Sequence, residues 1–264
     1  MNKYLATFTV HIQEAIIYRV RLFIWLLTDI VWIVVLPFVW LSVYGDASSI
    51  GGYDKNAIVS YFFYMPLVNS LLTYYTYHFM SYQIKDGAVV SFITKPIQYL
   101  LYCSIGEIAY RLWQTGTVVL LISIAYVFVG QTIIVPTLPE NLVAIIPIFL
   151  TTMVMNLLFA TLIGMIGFWT IQAEWIFHFW WMITTFATGY LAPLSFYPYW
   201  TQVLLYYSPF PLMMHVPLEA ILGRLGAIEI IHWVVVGLVW IVILLGLNRM
   251  IWQRGVRRVD TVGM

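Results

Sequence analysis

Asp29 is the residue of this sequence whose position most suggests a chemical role. It lies eight residues after Arg21, inside an apolar run long enough to cross a bilayer, where a charge costs about 2.5–3.5 kcal/mol on the insertion scale. An acid at that depth is expected to be paired, to be protonated or to face water. It could form a buried pair with another helix, or it could line a polar transport path or a subunit seam. Asn69 and Asn156 lie in later apolar runs and either belong to the same path or bridge helices.

The motifs of common catalytic sites are missing from the sequence. No lysine follows a glycine, so the phosphate-binding loop G-x-x-x-x-G-K-[ST] cannot form. Neither H-E-x-x-H for zinc nor G-x-S-x-G for a serine nucleophile occurs. Glu229 and His232 form one Glu-x-x-His, but a di-iron centre needs a second pair and two further carboxylates on facing helices. With Cys103 as the one cysteine, we expect no disulfide, no metal, no cofactor and no catalysis by this chain alone.

Composition predicts that these residues lie in a membrane. Of the 264 residues, 62% are hydrophobic and 9% are charged, compared with roughly 45–50% and 25% in soluble domains. A bilayer supplies the solvent that so much apolar surface requires. The net charge of +1 argues against a nucleic-acid partner, because binding phosphates needs a clustered basic face.

The hydrophobic pattern predicts an all-α polytopic membrane protein in which residues 1–264 form one transmembrane domain. Each span needs about 20 mostly apolar residues, and six segments qualify: 22–44, 57–80, 112–135, 142–169, 176–196 and 230–251. All but two of the twelve basic residues fall on one side, which predicts that both termini are cytoplasmic. The segment 83–111 is then a cytoplasmic loop and 252–264 a cytoplasmic tail.

Residues 1–21 are predicted to form a helix that lies along the membrane surface. Apolar residues recur there at helical spacing, while Gln13 and Glu14 fall elsewhere on the helical wheel. Charged residues throughout the segment also argue against a cleaved signal peptide. The alternative is a frayed polar tail that continues into the first span.

The segment 197–229 is predicted to enter the outer leaflet as a broken, re-entrant helical hairpin. Five of the eleven prolines fall between Pro193 and Pro217, yet the stretch is apolar and aromatic. Non-helical backbone at that depth must be covered by protein or line a cavity. The hairpin could form an outer gate or could only anchor the chain. The candidate gate residues are Gly189, Pro193, Pro198, Pro209 and Pro211.

The cytoplasmic loop after the second span contains a short amphipathic unit between Gly87 and Pro96. It has charges at its ends and apolar residues within. Such a unit could insert into a groove of a soluble partner, or could lie on the membrane surface without one. The candidate contact residues are Ile84, Lys85, Asp86, Gly87, Val89, Val90, Phe92, Ile93, Lys95 and Pro96.

At this loop the sequence resembles the permease subunits of type-2 ABC exporters. In a bacterial branch of that family the second span is followed by I-x-x-G-x-(apolar)-x-x-x-(apolar)-x-K-P-I. The residues that fit this pattern are Ile84, Gly87, Lys95, Pro96 and Ile97. Three further elements follow the family's order, and they are Gly51 and Gly52 before Tyr53, Gly189 with Pro193 and Leu194, and the basic tail of Trp252, Arg254, Gly255, Arg257 and Arg258.

The resemblance implies two six-span permease subunits, identical or paralogous, and two copies of a separate ATPase that binds ATP and magnesium. It implies that the segment from Lys85 to Pro96 is the coupling helix that docks into the ATPase. The expected function is export of a hydrophobic or amphipathic substrate by alternating access across the bacterial cytoplasmic membrane, in contact with membrane lipid. Two alternatives are an ion-coupled secondary transporter that uses Asp29, for which inverted repeats would be expected, and a lipid-processing membrane enzyme.

Overall fold

The computed structural model describes residues 3–17, 19–89, 92, 98–135, 140–170 and 172–262. These residues are mostly helical. The helices in chain order are α1 (Lys3–Ile17), α2 (Arg19–Tyr44), α3 (Lys55–Leu72), α4 (Thr76–Lys85), α5 (Tyr99–Val129), α6 (Glu140–Gly164), α7 (Glu174–Ala187), α8 (Tyr199–Tyr206), α9 (Phe210–Met213), α10 (His215–Ile221) and α11 (Ala227–Val262). Short 3-10 turns cover Met165–Phe168 and Leu194–Phe196, and a two-stranded antiparallel hairpin pairs β1 (Ser49–Ile50) with β2 (Tyr53–Asp54).

Five helical segments in the described ranges are long and apolar enough to cross a membrane. They are Leu27–Tyr44, Lys55–Lys85, Tyr99–Phe128, Ile145–Phe168 and Ala227–Arg258. The prediction of an all-α polytopic membrane protein is confirmed, and these segments correspond to five of the six predicted spans.

The predicted fifth span, 176–196, differs from the structure. Helix α7 has 14 residues, which rise about 21 Å at 1.5 Å per residue, whereas the hydrocarbon core is about 30 Å thick. The helix ends because Gly189 takes a positive φ of 86° and Pro193 begins the next turn. A sixth crossing therefore depends on α7 together with the turns that follow it, and it stays a prediction.

Two other helices extend beyond the limits of the predicted spans. Helix α5 begins at Tyr99, so residues 99–111 of the predicted loop continue the third span as one helix of 31 residues. Arg111 does not interrupt that helix because its guanidinium pairs with Glu107, four residues earlier, at 2.9 Å. Helix α11 likewise runs through most of the predicted tail 252–264, as far as Val262.

The segment formed by α3 and α4 lies at the centre of the molecule. It is 72% buried, whereas the other candidate spans are 17–39% buried. Its neighbours expose apolar side chains such as Phe38, Phe128 and Val242, as expected for surfaces that face lipid. Helix α1 packs beside α5, where Gly106 leaves room for the ring of His11. The predicted position of α1 at the membrane surface stays a prediction.

Candidate functional site

A cavity of about 1080 Å³ opens between α1, α2, α4, α5 and α7. Each of these helices contributes ionisable side chains to its wall, among them Glu14, Asp29, His78, Glu107 and His178. The aromatic side chains in the wall are Tyr75, Tyr77, Phe79, Tyr82, Tyr110, Phe177 and Trp181. The helices thus enclose a polar and aromatic compartment while their outward faces are apolar.

A smaller cavity of about 80 Å³ shares wall residues with the first. Asn69 and Trp181 line both cavities, Asp29 lines the larger one and Asn156 lines the smaller one. The structure therefore brings the three predicted path residues together along two adjoining cavities. Their function in transport is not thereby established and stays a prediction.

The two cavities meet where the helical segment 55–85 is broken. Helix α3 ends before Thr73, whose backbone is extended at φ −92° and ψ 127°. The break leaves two backbone groups that side chains of other helices bind. Asn156 Nδ2 donates to the Leu72 carbonyl at 2.7 Å, and the Tyr75 amide donates to Glu107 Oε1 at 3.1 Å. These two backbone groups are thus satisfied inside the protein, as the apolar surroundings require.

Glu107 and Arg111 form a buried charged network that the sequence analysis missed. The Arg111 side chain is 4% exposed, and its Nη1 donates to Gln114 Oε1 at 2.7 Å. Its guanidinium carbon also lies 4.9 Å from the centroid of the Tyr75 ring. Both residues had been assigned to the cytoplasmic loop. The Glu-x-x-x-Arg spacing, which places the two side chains on one helical face, was the signal that could have located them.

Asp29 faces the larger cavity. It is 8% exposed, and no hydrogen bond or ion pair within 4 Å joins it to another residue in the described part of the chain. Among the described residues, Arg111 is the cation whose charge acts on it. Asp29 is therefore a cavity-lining acid here and has no close partner among those residues.

At the predicted outer end, a cluster of polar side chains ties the first outer loop to the segment before α11. The Tyr53 hydroxyl donates a short hydrogen bond to Glu219 Oε1, and Arg224 Nε donates to Glu219 Oε2 at 3.2 Å. Arg224 also donates to the carbonyl of Gly52 at 2.9 Å, and its guanidinium carbon lies 4.1 Å from the Tyr53 ring centroid. Burial, with the Glu219 carboxylate nearby, raises the pKa of Tyr53 and keeps the phenol protonated.

The two outer elements of the sequence resemblance meet in this cluster. Gly51 has a positive φ of 55°, and a Cβ there would lie 2.7 Å from the Phe196 ring. The Tyr53 and Phe196 rings contact each other edge to face, with centroids 5.8 Å apart. Gly51–Tyr53 and the turn after Gly189 are thus one contact surface in space.

Gly189 occupies the centre of a second contact at this end. Its carbonyl accepts a hydrogen bond from the Tyr61 hydroxyl at 2.8 Å, and a Cβ at this position would lie 2.9 Å from Cβ of His215. The imidazole of His215 lies 3.4 Å from the Tyr61 hydroxyl. Burial lowers the pKa of His215, and Arg224 lowers it further while Glu219 opposes the shift.

The prolines of the candidate gate mark helix beginnings. Pro193 precedes the 3-10 turn, Pro198 precedes α8, and Pro209 precedes α9, which has Pro211 at its second position. Proline suits these positions because the first amides of a helix have no partner in the helix. The segment is therefore broken as predicted, and whether it enters the outer leaflet or gates a path stays a prediction.

At the opposite end, part of the predicted docking segment is exposed. Lys85, Asp86 and Gly87 form an exposed turn after α4, and Gly87 has a φ of 72° with no atom near its missing Cβ. Ile84 and Val89 are instead 5% and 2% exposed.

The described apolar residues of that segment pack against other parts of the chain, and their contact with a partner stays a prediction. Phe92 contacts the rings of Tyr99 and Tyr102, with centroids 5.2 and 4.8 Å away. Trp252 of α11 stacks on Tyr99 from another side. Ile84 and Val89 therefore belong to a buried cluster of this chain, and Phe92 packs against it together with apolar partners from α5 and α11. Val90, Ile93, Lys95 and Pro96 lie outside the described residues.

A chain that crosses a membrane several times and encloses a polar cavity is typical of membrane transport proteins. A family model described as "ABC-2 family transporter protein" matches residues 30–263, and the chain belongs to that family. Comparison with curated proteins found no matching relative. The resemblance to ABC-2-type permeases is confirmed: the protein is a multi-pass membrane component of an ABC transporter and is not catalytic by itself. The family implies an ABC ATPase as partner.

Proposed function

We propose that this permease exports a hydrophobic or amphipathic substrate from the cytoplasm or the inner leaflet of the bacterial cytoplasmic membrane. Two copies of an ABC ATPase bind ATP and Mg²⁺ and supply the energy. A second permease chain, identical or paralogous, completes the path, and both termini of each chain are cytoplasmic.

The observation that carries this proposal is the position of α4. The helix lines the large cavity with Tyr77, His78 and Tyr82 and ends in the exposed turn 85–87. His78 and Lys85 are seven residues apart, which corresponds to about 10 Å along a helix. A force applied to the turn by a docked ATPase therefore reaches the cavity wall through a single rigid element.

The energetics follow from differential binding. When two ATPase subunits close on ATP, they favour the permease conformation whose two turns fit the closed dimer, and the equilibrium shifts toward that conformation. Packed helices have a few discrete arrangements, so a small displacement at the turn selects another arrangement of the cavity wall. Access to the cavity then alternates between the two sides of the membrane.

In this proposal, the contacts around Gly189 and Glu219 close the path at the predicted outer end. Close contacts and hydrogen bonds join the loop Gly51–Tyr53 to the turn after Gly189 and to Arg224. Opening toward the outside would require these contacts to separate, which assigns the role of outer gate to Gly189 and to the proline-marked turns that follow it.

The docking surface can be tested by co-purification. Reversing the charges of Lys85 and Asp86 together with Gly87→Pro should remove the ATPase from the affinity-purified permease. Proline cannot adopt the φ of 72° found at Gly87, so the turn should change its conformation. The permease should still reach the membrane, because the three residues are exposed and the change stays local.

A matched control lies in the outer loop. Gly45 also has a positive φ, is exposed and has no atom within 4 Å of its missing Cβ. Gly45→Pro therefore imposes the same backbone conflict at another exposed turn and should leave ATPase association unchanged. If the triple variant retains the ATPase at the wild-type ratio, the turn 85–87 is not the docking surface.

A further inference from the structure

We propose that the large cavity binds the cationic head group of an amphipathic substrate, with Asp29 as its counter-charge and aromatic rings as its walls. This inference rests on the proposed function, whose substrate class it narrows. It is based on two residues that line the same cavity: Asp29, which has no close partner among the described residues, and Arg111, which already binds Glu107 and Gln114.

The charges deep in the cavity do not balance. Asp29 and Glu107 are two carboxylates, and Arg111 is one guanidinium. Nearer α1, Glu14 has His11 at 2.9 Å as its partner. Among the described residues Asp29, Glu107 and Arg111, one negative charge remains, and a monovalent cation would neutralise it. With its histidine partner neutral, Glu14 adds a further negative charge nearer α1.

Arg111 is not available to receive an anion. Its Nε donates to Glu107 and its Nη1 to Gln114, and its guanidinium lies over the ring of Tyr75. The side chain is only 4% exposed. An anionic ligand would have to displace these bonds and would meet Asp29 and Glu107 in the same cavity.

Asp29 is available to receive a cation. More than nine-tenths of the residue is buried, it lines the cavity, and the described part of the chain gives it no hydrogen bond and no ion pair within 4 Å. A buried acid in a membrane protein is commonly part of a substrate or ion path.

The walls suit an organic cation better than a metal ion. Tyr77, Tyr82, Phe177 and Trp181 line the cavity, and aromatic ring faces attract cations within about 6 Å. The volume of about 1080 Å³ corresponds to a drug-sized molecule rather than to a single ion. The cavity wall offers carboxylates from Asp29, Glu107 and Glu14, but two of these already have partners.

The test is equilibrium binding of tetraphenylphosphonium to the full-length permease in lipid nanodiscs without nucleotide. Tetraphenylborate, an anion of the same shape, is the control for charge, and empty nanodiscs correct for partition into lipid. We expect saturable binding of the cation and none of the anion. Asp29→Asn should weaken cation binding by at least about tenfold, while Asp29→Glu should retain it.

A matched variant and a separate readout make the result decisive. Asp46 is an exposed acid in the outer loop, so Asp46→Asn should leave binding unchanged. The inference is overturned if the anion binds as well as the cation, or if Asp29→Asn binds the cation with wild-type affinity. The charge comparison uses the wild-type protein, so it gives a result even if an Asp29 variant does not fold. Co-purification of the ATPase from the same membranes tests the proposed function independently, because either result can fail while the other stands.

Discussion

Glu107 accepts a hydrogen bond from the backbone amide of Tyr75, at the point where the central helical segment is interrupted. The same oxygen accepts a hydrogen bond from Arg111. One carboxylate therefore accepts hydrogen bonds both from a backbone amide that has no helical partner and from a buried guanidinium. Removing it leaves the Tyr75 amide without this acceptor and the buried Arg111 without its counter-charge.

Glu107→Ala should consequently be among the most destabilising substitutions in the chain. Removing one partner of a buried ion pair costs about 3–5 kcal/mol. Thermal unfolding in detergent, followed by loss of the monodisperse elution peak, would measure the effect. The double variant Glu107→Ala/Arg111→Ala should be less destabilised than the sum of the single variants, and strict additivity would show that the two side chains do not interact.

Asn156→Ala should also destabilise the protein, because Asn156 binds the backbone on the other side of the same break. Asn156 Nδ2 binds the carbonyl of Leu72, and leaving a buried acceptor unsatisfied costs about 1–3 kcal/mol. Asn156→Asp keeps the size of the side chain but removes the donor when it is ionised. Both variants should therefore unfold at lower temperature than wild type, whereas Thr185→Ala, which changes another residue of the smaller cavity wall, should have less effect. Equal stability of Asn156→Ala and wild type would contradict this assignment.

Gly189→Ala should disrupt the outer contacts. Alanine would have to adopt a φ of 86°, and its Cβ would approach the Tyr61 hydroxyl and His215 to less than 3 Å. We expect a loss of stability of at least about 1–3 kcal/mol from backbone strain alone. Gly116 has open space at its Cα inside α5, so Gly116→Ala should be neutral or stabilising by about 0.5–1 kcal/mol. The prediction fails if the two variants unfold at the same temperature.

Acidic conditions should weaken the same outer contacts. Burial lowers the pKa of His215 below its ordinary value of 6.5, so the unfolded chain takes up the proton before the folded protein does. The stability contributed by the neutral imidazole is therefore present above about pH 6.5 and decreases as the pH falls below that value. Unfolding temperatures measured from pH 8 to pH 5 should decline less for His215→Asn than for wild type. Parallel curves would exclude His215 as the cause.

The sequence predicted the membrane class and five of the spans because long apolar runs leave few alternatives. It did not predict the break before Thr76, since the residues Thr73, Tyr74 and Tyr75 include neither glycine nor proline. The break depends on Asn156 and Glu107, which are distant in sequence. At Arg111 the sequence predicted a boundary that the structure lacks, because an unpaired arginine would end the third span, whereas Arg111 pairs with Glu107 one helical turn earlier.

Only some residues of the candidate site were predicted from the sequence. Asp29, Asn69 and Asn156 stood out as polar residues in apolar runs, and the structure places them along two adjoining cavities. Glu107 and Arg111 were missed because a charged pair in a stretch of mixed polarity resembles a loop. The inward packing of Val89 and Phe92 could not be foreseen, since an apolar residue in a loop suits a partner's groove as well as the chain's own core.

The interrupted segment between Lys55 and Lys85 can act as a joint. Its first half is buried in a core cluster by Tyr61 and Phe62, while its second half ends at the turn 85–87, which is predicted to be cytoplasmic. An unbroken helix would resist bending there, because bending would stretch its own backbone hydrogen bonds. Here the Leu72 carbonyl and the Tyr75 amide are bonded to Asn156 and Glu107 instead, so bending at this point would not break those two bonds if α5 and α6 moved with the second half.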